Sequence, residues 1–421
     1  MNAVRLEIDT PPSVYLSPRE FTGMLVDRQT SRPLFSESGG RIASDLLSTV
    51  DREGDRRWIF RVAPDGRWDS GDRIRADEVV QRMAQGTRSP QQRWLAALIG
   101  RCEVIDTSTL AMTTRFAVAD LEAALAAPAL SPKRADAFSG AYAREPIDTR
   151  RTLLRSISPE RAPDVELVTT VSRARGRADF ARGALDVGWG IGVPASFWEP
   201  TDRGPFLESA PLDMFAVVVA GRSTPDREAR RILHACRLSR STDYGVLATA
   251  SRYSDTRSDP APALGGKGNV NWPLYYTPFP PNAELARDLA AATAGSLRPV
   301  AVTYNELLGG RVPDSGFSLQ IHSAATTGDP GLLIESAVIA GGLATSGAHL
   351  REQCLQVWGA GSRADRRTMA EKVEPALDRL LRRRVVGRML PRFRTPHPLP
   401  LPRSGWFDFT QLRRQKESND G

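Results

Sequence analysis

DREGDRRWIFRVAPDGRWDSGDRIRADEVVQRM, residues 51–83, changes from one kind of pattern to another, and that change decides the fold. Trp58-Ile59-Phe60-Arg61-Val62 is a short aromatic and β-branched run that reads as a strand. Pro64-Asp65-Gly66 then carries turn chemistry, with Gly66 expected to supply a positive φ, and Asp69-Ser70-Gly71-Asp72 makes a second turn. From Ala76-Asp77-Glu78 onward the period becomes helical: Val79, Val80 and Met83 share a face, and the acids lie at the positive helix end.

Working outward, the same alternation of strand and helix continues. Phe21 to Val26 suits either state. Glu103–Asp106 and Thr109–Phe116 read as a hairpin with Leu110, Met112 and Thr114 alternating, and Asp120 to Ala127 as a short helix stopped by Pro128. Val165–Val171 is a strand; Asp213–Ala220, apolar throughout, suits a strand covered on both faces. Helices follow at Pro225–Leu233 and Glu284–Ala294, and a strand at Arg298–Tyr304, an alternation that implies a parallel sheet. Phe317, Leu319 and Ile321 alternate with Ser318, Gln320 and His322 in a further strand. Asp329-Pro330 opens a helix through Ala340, with Asp at N-cap and Pro at N1. Asp365–Leu390 reads as a long basic helix interrupted by Pro375.

A chain of 421 residues exceeds what a single core supports and points to two lobes. No apolar run reaches the about eighteen residues of a membrane-spanning helix. The N-terminus carries no apolar signal region, so the chain as written reads as cytoplasmic, and as extracellular or membrane-associated if that end is truncated. The net charge of +8 comes almost entirely from arginines interleaved with acids, which describes solvated surface rather than a nucleic-acid footprint; only the basic stretch Arg379–Val386 offers an anionic partner a surface. Cys102, Cys236 and Cys354 are widely spaced and read as buried apolar residues, and the four histidines lack metal-ligand spacing. There is no hydrolase elbow, zinc-protease motif or phosphate-binding glycine loop, so neither catalysis nor a cofactor is expected.

Residues 51–83 resemble the signature of the peptide- and nickel-type extracellular solute-binding proteins, the ligand-capturing subunits of ABC importers. That pattern runs aromatic-x-F-x-L-R, W-S-x-G, T-A-x-D-V, and Trp58, Phe60, Arg61, Trp68, Ser70, Gly71, Ala76, Asp77 and Val79 fill most of it, with Arg75 where Thr is usual. Ser139-Gly140-Ala141-Tyr142 stands where those proteins carry G-T-G-P-Y, and Gly183-Ala184-Leu185-Asp186-Val187 where they carry G-x-x-D-V. The resemblance implies a two-lobed α/β fold with a cleft between lobes. The first lobe is expected at 1–222, with 400–421 returning to it, and the second at 223–399.

In the same comparison, His322 to Pro330 corresponds to the loop G-W-x-x-D-x-x-D-P, with Asp329 in the shared D-P. Peptide-binding members place an Asp three residues earlier against the peptide's α-amino group. Here that residue is Thr326, and Ser323 replaces the Trp. A hydroxyl supplies no counter-charge for a desolvated ammonium. The candidate ligand contacts are therefore His322, Ser323, Thr326 and Asp329, joined by Trp272 and Tyr275 from a Pro- and Gly-rich stretch, 255–282, that reads as a lobe connection or a cleft-lining loop, its aromatics fitting ligand contacts or anchors packed on the body. The expected partner is a small molecule or modified peptide rather than a free-amine peptide, bound by a monomer, with an ABC permease as second partner if the protein is exported. The alternative is an intracellular member of the same fold recruited as a sensor or as a small-molecule biosynthetic protein or enzyme.

Overall fold

The computed structural model describes residues 3–8, 21–38, 41–88, 98–126, 130–134, 136–170, 172–189, 206–208, 214–238, 246–248, 271–278, 281–303, 306–307, 312–323, 348–389, 393–396 and 409–412. Strand β1 (Val4–Ile8) buries Val4, Leu6 and Ile8, and α1 (Phe21–Thr30) settles as a helix the stretch whose sequence suited either state. A hairpin of β2 (Phe35–Ser38) and β3 (Arg41–Ser44) precedes β4 (Leu47–Glu53) and β5 (Arg57–Val62). After β5 come α2 (Ala76–Arg88), β6 (Ile99–Val104), β7 (Thr109–Thr114) and α3 (Leu121–Leu125). The four antiparallel strands order as β4-β5-β7-β6. Against them pack Trp58, Phe60, Trp68, Ile74, Val79 and Met83, so residues 51–83 supply much of a core of their own. Since β7 is an inner strand, Thr109 and Ala111 are buried along with Leu110, Met112 and Thr114.

Next come β8 (Tyr142–Pro146), β9 (Arg151–Ser156), β10 (Val165–Thr169), α4 (Arg173–Ala181), β11 (Gly188–Trp189) and β12 (Phe206–Glu208). Strand β1 pairs parallel with β10, and on its other side Leu6 bridges Val187 in parallel. Gly183 ends α4 with φ +77, a left-handed cap.

Strand β13 (Met214–Ala220) begins a second sheet, followed by α5 (Asp226–Ala235), β14 (Val246–Ala248), β15 (Trp272–Tyr276), α6 (Asn282–Ala292), β16 (Leu297–Ala301) and β17 (Phe317–Ser323). Helices α7 (Ala348–Gly359) and α8 (Arg363–Leu380) lead to β18 (Arg383–Met389) and β19 (Phe393–Pro396). The six-stranded order is β14-β18-β13-β17-β15-β16. Strand β13 is central and almost wholly buried, as its unbroken apolar run requires. Helices α5 and α6 cover one face through Ile232, Leu233, Leu285 and Leu289, against Ala216, Val218, Leu274, Phe317 and Leu319.

Four expectations are corrected. The basic helix ends at Leu380: Arg382 adopts φ +51, and Arg383–Met389 is a strand between β13 and β14, its β-branched Val385 and Val386 buried. Pro375 lies inside α8 and does not interrupt it. The loop expected over 255–282 contains β15, an inner strand. In the opening motif the positive φ belongs to Gly71, at +89, whereas Gly66 is held because a side chain there would press on Leu46 and on the Ala63 carbonyl. The helix expected at 329–340 lies outside the described residues.

Candidate functional site

Strand directions show where the molecule gathers its functional ends. The sheets β1-β10-β9-β8 and β11-β19-β12, bridged at Leu6–Val187 and together called the first sheet, hold β1, β10, β11 and β12 mutually parallel, since β19 is antiparallel to both β11 and β12. In the second sheet β15, β16 and β17 are parallel, and β13 is antiparallel to β17 and β18, so β18 runs with them. The chain leaves the first sheet after Glu208 and joins the second at Met214; it leaves the second after Met389 and rejoins the first at Phe393. It therefore passes between the sheets twice, over 209–213 and 390–392. Both passages start from the carboxyl end of a strand, β12 or β18, so the carboxyl edges of both sheets lie toward them. In open α/β sheets this edge is where ligands are held. The second sheet draws its strands from Met214 to Met389.

His322 and Ser323 are the last two residues of β17, opposite Phe215 and Met214 in register, and so stand at that edge. Thr326 and Asp329 lie outside the described residues. The two aromatic candidates separate. Trp272, half-buried, packs against the α5/α6-side core. Tyr275 is in register with Ser318, which is in register with Val219, and this row occupies the opposite face. Phe215, Val217 and Val385 form a small buried cluster, with Val219 packed against it, on that face. Asp378 of α8 pairs with Arg383, so the arginine is buried with its charge matched.

Across the passages, the first sheet carries a buried acid that sequence reading missed. Glu7, next to last in β1, is 1% exposed, and its Oε1 accepts a hydrogen bond from Thr170 Oγ1 at 2.7 Å, just past the end of β10. The carboxylate occupies the space a side chain at Gly176 of α4 would need. The acid among apolar neighbours in VRLEI is the one signal that pointed to it.

The motif at 68–78 forms a clamp. Glu78 Oε2 accepts from Arg75 N at 2.9 Å, the backward half of a capping box, while Glu78 Oε1 takes Arg134 Nε at 2.8 Å. The Arg134 guanidinium lies 4.7 Å from the Trp68 ring centre and also reaches Asp72. Arg75 thus replaces Thr without loss of the reciprocal bond, because the glutamate supplies it.

Burial works against thiolate formation at Cys102 and Cys236. Burial pushes the Cys236 thiol up to about 12, with Arg384 opposing, and burial likewise raises Cys102 to about 12, with Glu103 adding to it. Burial and the like charge of Arg237 lower Arg384. Among the described residues no group of three or more His, Cys, Asp and Glu side chains is placed to hold a metal, and no helix is long and apolar enough to cross a membrane.

No protein-family model and no curated sequence matches the chain. Solved structures do. NikA from Staphylococcus aureus, in complex with Ni(L-His)2, superposes with a TM-score of 0.76 at 10% identity, over 94% of this chain and 96% of that one. OppA from Haemophilus influenzae, in complex with the peptide RPPGFSPFR, gives 0.76 at 12% identity over 99% and 100%. A substrate-binding protein from Microbacterium hydrocarbonoxydans, with 4-hydroxybenzoate hydrazide, gives 0.74 at 14% over 99% and 100%. The fold is that of the two-lobed periplasmic binding proteins.

Proposed function

We propose that the chain is a ligand-binding protein whose two lobes, joined at 209–213 and 390–392, close on a small ligand between the carboxyl edges of their sheets. The observation that carries this reading is the convergence of those edges on a pair of short passages. His322, Ser323, Thr326 and Asp329 are the proposed contacts from the second lobe, with Tyr275 behind them. The ligand is a small molecule or modified peptide. Thr326 gives no counter-charge to a free α-ammonium, whose desolvation without a partner costs about 2–5 kcal/mol. As the binding subunit of an importer, the protein would deliver its ligand to a membrane permease.

Native mass spectrometry of the protein purified from its own host tests the reading directly, since a closed cleft retains its ligand as a mass increment. Thermal-shift measurements with unmodified di- to pentapeptides are expected to show no consistent stabilisation. Micromolar binding of such peptides, lost when the N-terminus is acetylated, would overturn the assignment of ligand class. Absence of any retained mass, together with no response to a broad small-molecule library, would overturn the binding function.

A further inference from the structure

An acid in the first lobe and an arginine in the second meet across the molecule, 246 residues apart in sequence. Asp120 is the N-cap of α3, and its Oδ1 accepts from Ala123 N at 3.0 Å. This bond fixes the carboxylate and turns Oδ2 outward, where Arg366 Nη2 donates to it at 3.2 Å. The segment before Asp120 is itself held, because Arg52 donates to the Val118 carbonyl at 3.0 Å, and Thr49 bonds to Glu122 of α3. Arg366 is held equally well: its backbone N donates to Ser362 O at 3.0 Å and its Nη1 to Ala360 O at 3.2 Å.

The arginine is in an unfavourable place for a cation. It lies in the first turns of α8, near the positive end of the helix dipole, and its side chain is only 9% exposed against 31% for Asp120. Opposite charge from Asp120 relieves both costs, and it does so only while the lobes are together. We propose that Asp120–Arg366 is an inter-lobe latch, formed in the closed protein and broken in the open one. Part of the free energy of closure then comes from the chain itself and not from the ligand. The proposal rests on the reading of two lobes that move.

Small-angle X-ray scattering on the full chain tests it, with the protein both as isolated and after its retained ligand is stripped by reversible unfolding. Asp120→Asn keeps the N-cap, since Asn caps as well as Asp, and removes only the charge. Arg366→Gln and the double variant complete a cycle. Each single change is expected to shift the stripped protein about fivefold toward the open form, raising its radius of gyration above that of the wild type. The double variant should go no further than the larger single effect. Raised salt should move the wild type in the same direction.

Scattering curves of the variants that superimpose on wild type in both states, while wild type itself opens on stripping, refute the latch and leave lobe closure standing. If no protein changes in either state, both readings fall. An opening produced by Asp120→Ala but not by Asp120→Asn would assign the effect to the helix cap and also refute the latch.

Discussion

Replacing Gly140 by alanine tests the packing of the first lobe at its tightest point. Gly140 lies against the end of α1. A methyl group there overlaps the Gln29 carbonyl oxygen and comes to 2.7 Å from both Ser31 N and Thr30 C. Ordinary contact needs about 3.5 Å or more, so main chain must move against main chain, and neither side has a rotamer to change. Three hydrogen bonds span the same contact: Ser139 N to Thr30 O at 3.2 Å, Gly140 N to Thr30 O at 3.1 Å, and Arg32 N to Ser139 Oγ at 3.0 Å. Overpacking of this kind costs about 1–3 kcal/mol, and loss of one or two of those bonds adds about 1 kcal/mol each. The reduced freedom of the unfolded chain returns less than about 1 kcal/mol. Gly140→Ala is therefore expected to destabilise by about 3 kcal/mol, read from urea unfolding followed by far-UV circular dichroism. Gly54→Ala is the matched control, because Gly54 has φ +69 with open space around it, and strain alone should cost about 1 kcal/mol. Stability of Gly140→Ala within about 0.5 kcal/mol of wild type, or a loss no larger than that of Gly54→Ala, would refute the contact argument.

Glu78→Ala removes a cap bond and the Arg134 pair together, and should lower stability by about 2 kcal/mol, with Glu78→Gln intermediate; equal values for the two variants would deny the ion pair any part. Phe409→Ala empties a fully buried site against Tyr142, whose ring centre is 6.2 Å away, and is expected to cost about 3–5 kcal/mol in the same assay, a loss under about 1 kcal/mol counting against a packed tail. Cys236 titrates at about 12 in the folded protein, against 9.0 as the ordinary value. Between those values the unfolded thiol loses its proton and the folded one keeps it, so stability falls as pH rises, by up to about 1.4 kcal/mol per pH unit. Urea midpoints that decline no more steeply in wild type than in Cys236→Ala above pH 9 would remove burial of the thiol as the cause.

Legibility followed local chemistry. Residues 51–83 were readable because strand, turns and helix all bury their apolar positions in one local core, so period and packing agree. The same holds for β13, β17 and α6. Arg383–Met389 misled because its arginines continue the composition of α8. The reversal is made by Arg382 in the left-handed region, where a glycine would have announced it, and its guanidinium is tied to the Arg222 and Thr224 carbonyls. Val385-Val386-Gly387 was the available strand signal. Strand β15 was hidden by Pro273, which is tolerated because pairing with β17 begins only at Leu274. The candidate site was half legible: the strand reaching His322 could be read from alternation, but its position at a shared edge depends on register between distant segments. The Asp120–Arg366 pair left no sequence signal, since nothing local brings the two residues together.

The two passages between lobes also set an order of events during synthesis. Strands β11 and β12 lack their shared partner β19, and Tyr142 lacks Phe409, until everything from Met214 to Met389 has been made. At about 5–20 residues per second, β12 waits roughly ten to forty seconds for its partner strand to emerge. Throughout that interval the nascent first lobe carries an open sheet edge and an unfilled core beside Tyr142. The six-stranded sheet has all its strands before β19 emerges, so the half made first is the last to be completed.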